Sequence, residues 1–191
     1  MGKLIYLITT SLDGYVADKS GDFEWAMPSE EVHAFVNDIV RNVGTSLLGR
    51  NMYEIMQVWD TIPTEGTGGP MDGPSAAMND YARIWRAAKK IVYSTTLSEV
   101  IIANARIERT FDPDTVQKLV AESDQDFDIG GPHLAAEAIK AGIVDAYHQI
   151  IVPQIIGSGT YWLPKDVQSK LALVDLRRFE NGFVYLQYGK A

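Results

Sequence analysis

Hydrophobic and polar residues alternate along the chain with two periods, one typical of buried strands and one of amphipathic helices. Residues 4–9 form a short apolar run that ends at Ser11, Asp13 and Gly14, so they predict a buried strand entering a turn. Ser29 is suited to be the N-cap of a helix. The apolar residues that follow it at helical spacing are Val32, Phe35, Val36, Ile39 and Val40.

The same alternation continues to the end of the chain. Further apolar runs predict strands at residues 45–48, 90–93, 127–129 and 147–152. Helical patterns separate these runs, and Asp112, Pro113 and Gly142 are placed as helix caps. The last two runs, residues 171–179 and 183–188, flank Asn181 and Gly182, a dipeptide that accepts the positive φ values of a tight hairpin. The pattern therefore predicts an α/β fold with a mostly parallel sheet and a C-terminal antiparallel hairpin.

Length and composition limit the class of protein. The 191 residues, 46% of them hydrophobic, suit one domain covering residues 1–191. The chain has no cysteine and no apolar run long enough to span a membrane, so we expect a cytoplasmic protein without disulfides or membrane contact. The net charge of −8 argues against nucleic-acid binding. The local basic stretch is interpreted as a solvated helix end and comprises Arg83, Arg86, Lys89 and Lys90.

Two segments could bind a ligand, because parallel sheets bind ligands at the carboxyl ends of their strands. In LLGRNMYE, Gly49 would let the backbone approach a phosphate, and Arg50 offers a planar fork of donors. In DIGGPHLAAEA, Gly130 and Gly131 form a strand-to-helix turn and Pro132 takes the first helical position. Neither segment matches GxGxxG or GxxxxGK[ST], so the glycines are either part of a dinucleotide site of another kind or plain turn residues.

Taken in order, the segments SLDGYVA, LLGRNMYE, KKIVYSTTL, DIGGPHL and IVPQIIGSG resemble the dihydrofolate reductase-like superfamily. The resemblance is closest to the reductase domain of riboflavin biosynthesis and covers nearly the whole chain. It implies a three-layer fold and NADPH as cofactor, with Arg50 near the 2′-phosphate and Gly49 beside the phosphates. It further implies that Ser94 and Thr95 flank the adenosine end of the cofactor. Similar proteins often carry a cis peptide bond between the two glycines that correspond to Gly130 and Gly131. The residues implied to cradle the pyrophosphate are Gly130, Gly131, Pro132, His133 and Leu134.

A finer similarity concerns the substrate pocket. Trp25, Pro28 and Glu30 are spaced like the tryptophan, proline and acid of dihydrofolate reductases. A carboxylate desolvated beside Trp25 would have a raised pKa and could help protonate a heterocycle, which makes Glu30 a candidate catalytic residue. Alternatively, Glu30 is a first-turn acid favoured by the helix dipole. By the same resemblance, Asp13 would face the nicotinamide or the substrate, which makes it the second catalytic candidate; alternatively, it is a turn residue. Tyr15 would line the pocket with Trp25.

These observations predict an NADPH-dependent reductase that acts on a small heterocyclic or carbonyl substrate, resembling 5-amino-6-(5-phosphoribosylamino)uracil reductase. A pterin or dihydrofolate reductase is an alternative, although Met52 replaces that family's usual threonine. A non-catalytic NADPH-binding module is another. The three histidines are too far apart in sequence to predict a metal site. We expect a homodimer, and residues 61–74 could form a lid.

Overall fold

The computed structural model describes residues 1–65 and 74–191. The described strands are β1 Leu4–Ser11, β2 Tyr15–Ala17, β3 Val43–Gly49, β4 Lys89–Tyr93, β5 Ala105–Glu108, β6 Asp126–Gly130, β7 Ala146–Val152, β8 Thr160–Tyr161, β9 Leu171–Arg178 and β10 Val184–Lys190. The described α-helices are α1 Glu30–Val40, α2 Arg50–Met56, α3 Ala76–Ala87, α4 Pro113–Ala121 and α5 Pro132–Lys140. The alternating strands and helices predicted from the sequence are confirmed.

Local capping signals explain where these helices begin and end. The Ser29 hydroxyl accepts a hydrogen bond from the Val32 N–H at the start of α1. Asp112 caps α4 in the same way, and Pro113 occupies its first position. Gly142 follows α5 with φ +69°, a left-handed conformation that glycine adopts easily. The helix boundaries predicted from these residues are therefore confirmed.

Eight strands form one mixed sheet in the order β5-β4-β3-β6-β1-β7-β10-β9. The strands from β5 to β7 are parallel, and β10 is antiparallel to both β7 and β9. In the turn between β9 and β10, Gly182 alone has a positive φ, +85°, so the expectation of positive values at both Asn181 and Gly182 is wrong. The mostly parallel sheet with a C-terminal antiparallel hairpin is confirmed.

Helices cover both faces of the sheet and give the three layers of the fold. On one face, α4 and α5 pack on a core that includes Leu47, Phe127 and Ile129. On the other face, α1 and α3 cover strand residues such as Ile5 and Ile150. Neighbouring residues of one strand therefore contact different helix layers.

The basic stretch departs from the sequence-based interpretation at Lys90, which is 1% exposed. Lys90 begins the buried part of β4, and its ammonium group donates to the main-chain carbonyls of Trp85 and Ala88 at the end of α3. Its Nζ lies 4.5 Å from the centre of the Trp85 ring. Lys90 thus completes the C-terminus of α3 rather than facing solvent.

Arg86 of α3 holds the chain segment at Asp60 and Ile62, which lies before that helix. The Arg86 guanidinium donates to the carbonyls of Asp60 and Ile62 at 2.8 and 2.6 Å. The lid predicted at residues 61–74 depends on residues 66–73, which lie outside the described residues.

Candidate cofactor and substrate site

The candidate crevice is the space beyond the carboxyl ends of β3 and β6, between the starts of α2 and α5. The two strands are parallel, and Leu48 is paired with Gly130 at their carboxyl ends. After β3, α2 turns toward the face covered by α3, where Tyr53 packs with Trp85. After β6, α5 turns toward the opposite face of the sheet. Adjacent helices that leave a sheet in opposite directions create the crevice in which α/β proteins bind ligands.

The glycines predicted from the sequence lie along the walls of this crevice. A Cβ on Gly130 would lie 2.9 Å from Leu48 Cδ2 and 3.1 Å from Met52 Cγ, so a larger residue would displace the wall. A Cβ on Gly49 would lie 3.9 Å from the Leu134 Cβ across the crevice. Gly131 has φ +95°, and the peptide bond between it and Gly130 is trans, so the expected cis bond is wrong. The turn is made by the positive φ of Gly131 instead.

The start of α5 suits an anionic ligand. Side chains of Ser29, Ser75 and Asp112 cap α1, α3 and α4. By contrast, the N-cap residue of α5 is Gly131, whose lack of a side chain leaves the first-turn N–H groups without such a cap. His133 is exposed on this first turn. A pyrophosphate fits these donors and the positive end of the helix dipole.

Arg50 lies at the other wall and is already engaged. Its Nε donates to Glu54 Oε1 at 2.7 Å, and its Nη1 donates to Thr96 Oγ1 at 2.9 Å. Ser94, after β4, uses its hydroxyl to accept hydrogen bonds from the N–H groups of Thr96 and Leu97. The structure therefore brings Arg50 close to the predicted adenosine-side residues, with Ser94 buried beneath the turn and Thr95 exposed on it.

Asp13 links the loop after β1 to the loop after β7 through hydrogen bonds. Its carboxylate accepts hydrogen bonds from the Ser11 hydroxyl at 2.7 Å and from the N–H groups of Ile156 and Gly157 at 3.1 and 2.7 Å. These donors, the Ser11 hydroxyl foremost, lower the pKa of Asp13. Asp13 is therefore ionised at neutral pH and holds the edge of the site in shape.

Glu30 is exposed and joins α1 to the start of α3, rather than lying desolvated beside Trp25. Its Oε1 accepts a hydrogen bond from the Ala77 N–H at 2.8 Å. The Ser75 hydroxyl and this N–H lower the pKa of Glu30, so the predicted rise of its pKa is wrong. The sequence could not reveal these partners, because they lie more than forty residues away along the chain.

Aromatic side chains surround the ends of β1 and α1. Tyr15 packs edge-on against Tyr161, with ring centres 5.7 Å apart, where β2 pairs with β8. Trp25 is half-buried against the core beneath α1, and its indole N–H donates to the Asp22 carbonyl. Both residues predicted to contact substrate are thus at the same end of the sheet as the crevice.

Sequence analysis missed an imidazole in this region. His33, one turn after Glu30, lies between the rings of Trp59 and Tyr81, with ring centres 5.6 and 5.7 Å away. Burial lowers the pKa of His33, so the ring is neutral at pH 7. Its helical spacing from Glu30 was the available signal, since residues three apart share a helix face.

Sequence analysis also missed a polar row beneath the crevice. Ser46 is paired with Lys90 on one side and with Asp128 on the other, so the three side chains share the face covered by α3. Asp128 as a residue is partly exposed, but its Oδ1 is buried and has no hydrogen-bond partner within the described part of the chain. Burial raises the pKa of Asp128 to about 6, although the Ser46 hydroxyl and Lys90 favour the ionised form.

Residues 1–65 and 74–191 contain neither a metal-binding cluster nor a membrane-spanning helix. No group of three or more histidine, cysteine, aspartate or glutamate side chains in these ranges could hold a metal ion. No helix in them is long and apolar enough to cross a membrane.

Comparison with known proteins agrees with this architecture. The uncharacterised protein YyaP of Bacillus subtilis (strain 168) is 24% identical over 192 residues, which cover 97% of this chain and 94% of YyaP. A Shewanella sp. PV-4 structure described as a riboflavin biosynthesis protein superposes with a TM-score of 0.73 at 20% identity, covering 100% of this chain and 99% of that one. A pyrimidine reductase-like protein of Corynebacterium diphtheriae gives a TM-score of 0.67 at 16% identity, with coverage of 98% and 91%.

A larger relative contains this fold as one part. The diaminohydroxyphosphoribosylaminopyrimidine deaminase/5-amino-6-(5-phosphoribosylamino)uracil reductase of Thermotoga maritima has a TM-score of 0.62 at 14% identity, and the match covers 100% of this chain but 57% of that protein. The sequence profile of the RibD C-terminal domain matches residues 2–185. The chain therefore belongs to the RibD C-terminal domain family.

Proposed function

We propose that the protein is an NADPH-dependent reductase that acts on a small heterocyclic or carbonyl substrate. Membership of the RibD C-terminal domain family supports an oxidoreductase. The Thermotoga relative carries the activity name 5-amino-6-(5-phosphoribosylamino)uracil reductase, which supports a substrate of the aminouracil type. The proposal names a chemical class of substrate and not one compound, because folds of this kind host more than one activity.

The observation that carries the proposal is the arrangement at the ends of β3 and β6, where α2 and α5 begin and leave the sheet toward opposite faces. The uncapped first turn of α5 would hold the pyrophosphate, with Gly130 and Gly131 allowing close approach of the main chain. Arg50 would hold the 2′-phosphate, because a guanidinium presents paired donors to phosphate oxygens. Ser94 and Thr95 would lie beside the adenosine. NADPH supplies the hydride when bound, and the protein orients substrate against it.

The carboxylates near the substrate act by position and charge in this proposal. Both Asp13 and Glu30 have lowered pKa values and are ionised at neutral pH, so neither is a proton donor. Asp13 keeps the loop at Ile156 against the end of β1. Tyr15 and Trp25 would offer flat apolar surfaces to a planar substrate.

Two other functions are tested by the same experiments. A pterin or dihydrofolate reductase would oxidise NADPH with a pterin substrate, but Met52 stands where that family usually has a phosphate-binding threonine. A non-catalytic NADPH-binding module would bind the cofactor without oxidising it in the presence of any aminouracil, pterin or carbonyl compound.

Calorimetric titration with NADPH and NADH tests the proposal directly. We expect NADPH to bind more tightly than NADH, and Arg50→Ala to weaken NADPH at least tenfold while leaving NADH within about threefold. Arg41→Ala is the matched control. The Arg41 side chain is 53% exposed, against 46% for Arg50, and it pairs with Asp38 and Asp80 at the C-terminal end of α1. No binding of either nucleotide to the wild type would refute the proposal.

We also propose that the protein forms a homodimer through its hairpin edge. Strand β9 is an edge strand, and its exposed apolar residues Leu173, Val174 and Leu176 are 52%, 60% and 61% exposed. An edge of this kind offers unpaired main-chain groups and apolar area to a second copy. Tyr185 of the neighbouring strand β10 is buried in the core and is not part of this surface.

A further inference from the structure

Arg50, the proposed phosphate ligand, is paired with a carboxylate on its own helix. Its Nε lies 2.7 Å from Glu54 Oε1, and the two side chains are 46% and 44% exposed. On its other side, Nη1 donates to the Thr96 hydroxyl. The guanidinium is thus held between α2 and the segment after β4, with one negative charge in contact with it.

We propose that Glu54 limits the preference for phosphorylated over unphosphorylated nicotinamide cofactors. This inference rests on the proposed function, since it takes Arg50 as the group that contacts the 2′-phosphate. A phosphate monoester brings a charge of about −1.5 to −2 at pH 7. A phosphate on the same guanidinium lies within one Debye length, about 8 Å at physiological ionic strength, of the Glu54 carboxylate. The carboxylate therefore repels the 2′-phosphate and leaves NADH, which lacks it, unaffected.

A second contact, which carries no charge, also holds Arg50. Thr96 holds the guanidinium through an uncharged hydroxyl. In Glu54→Gln, the amide oxygen still accepts a hydrogen bond from Arg50 Nε, while the negative charge is removed. This variant therefore separates repulsion of the phosphate from support of the arginine.

The test is calorimetric titration of NADPH and NADH into the wild type and Glu54→Gln. We expect the Kd for NADPH to fall about three- to tenfold and the Kd for NADH to stay within about twofold, the range given by one exposed, partly screened charge. Raising the salt concentration should shrink the gain for NADPH. Glu137→Gln is the matched control, because Glu137 pairs with Lys140 at 3.2 Å at the far end of α5 with 56% exposure. It should change neither Kd.

Two results would overturn the inference while leaving NADPH binding intact. An unchanged ratio of the two Kd values in Glu54→Gln would show that the carboxylate does not discriminate. Weaker NADPH binding would show that Glu54 only supports Arg50. Failure of the wild type to bind either nucleotide is a different result, which would overturn the proposed function and this inference together.

Discussion

Replacing Asp128 with asparagine should remove a pH-dependent loss of stability. Asp128 lies under α3 in the polar row with Ser46 and Lys90, and its Oδ1 is buried without a partner in the described residues. Burial outweighs the attraction of Lys90 and raises the pKa of Asp128 from 3.8 to about 6. Tyr81 lies nearby on α3, and desolvation foremost, followed by this carboxylate, raises the pKa of its phenol, so Tyr81 does not ionise in the same range.

The sign of the effect follows from proton binding. Between pH 4 and pH 6 the folded chain holds the Asp128 proton and the unfolded chain does not, so the free energy of unfolding falls as the pH rises through this interval. The difference between the two pKa values corresponds to up to about 3 kcal/mol above pH 6. Asparagine has nearly the same shape and carries no charge, so Asp128→Asn should be more stable than the wild type by up to this amount at pH 8. The two should be nearly equal at pH 4.

Urea denaturation followed by circular dichroism from pH 4 to pH 8 measures this difference. Other titrating groups contribute equally to both proteins, so the gap between the two curves isolates Asp128. Asp124→Asn is the control, because Asp124 is exposed just before β6, and its curve should follow the wild type. Parallel curves for Asp128→Asn and the wild type across this range would refute the reasoning.

Three further perturbations test other parts of the structure. Gly131→Ala places a side chain at φ +95° and should lower the free energy of unfolding, measured in urea, by roughly 1–3 kcal/mol. Gly142→Ala is the comparison: its φ is +69° with open space around it, and it should cost about 1 kcal/mol. Glu30→Gln should leave the turnover of NADPH within about twofold of the wild type, because the amide oxygen can still accept a hydrogen bond from the Ala77 N–H. A large loss of turnover would instead show that Glu30 is a catalytic residue. Leu176→Lys should convert a dimer to a monomer in sedimentation velocity, and an unchanged sedimentation coefficient would exclude this edge of the sheet.

The parts of the fold that could be predicted from sequence depend on local signals. Ser29, Asp112 and Gly142 act on helix ends within a few residues of themselves, so their effect is legible in the sequence. Strand β5 was missed because its sequence ARIE is short and half polar, as suits a sheet edge. The pairing of β2 with β8 was also missed, because it joins residues about 145 positions apart.

The candidate site was predicted in its positions but not in its electrostatics. Gly49 and Gly130 could be located because glycine before a helix marks close approach of the main chain. The environment of Glu30 depends on a distant partner, the first turn of α3. Lys90, by contrast, donates to carbonyls only five and two residues before it, at the end of α3. Asp128 carried a weak signal, a charged residue within an apolar strand, but its burial depends on the helix packed above it.

The two halves of the site differ in charge, and this difference explains the assignment of the cofactor to one of them. Residues 12–31, which lead from β1 to α1, contain six acidic residues and a single lysine. Several of these acids are fixed by hydrogen bonds, such as Asp13 to Gly157 and Glu31 to Arg177. Phosphates would be repelled there and attracted to the opposite half, which holds the N-terminus of α5 after Gly131 and the guanidinium of Arg50. If the proposed function is right, the acidic half would take a substrate that is neutral at its reacting end, bound against aromatic surfaces rather than by charge.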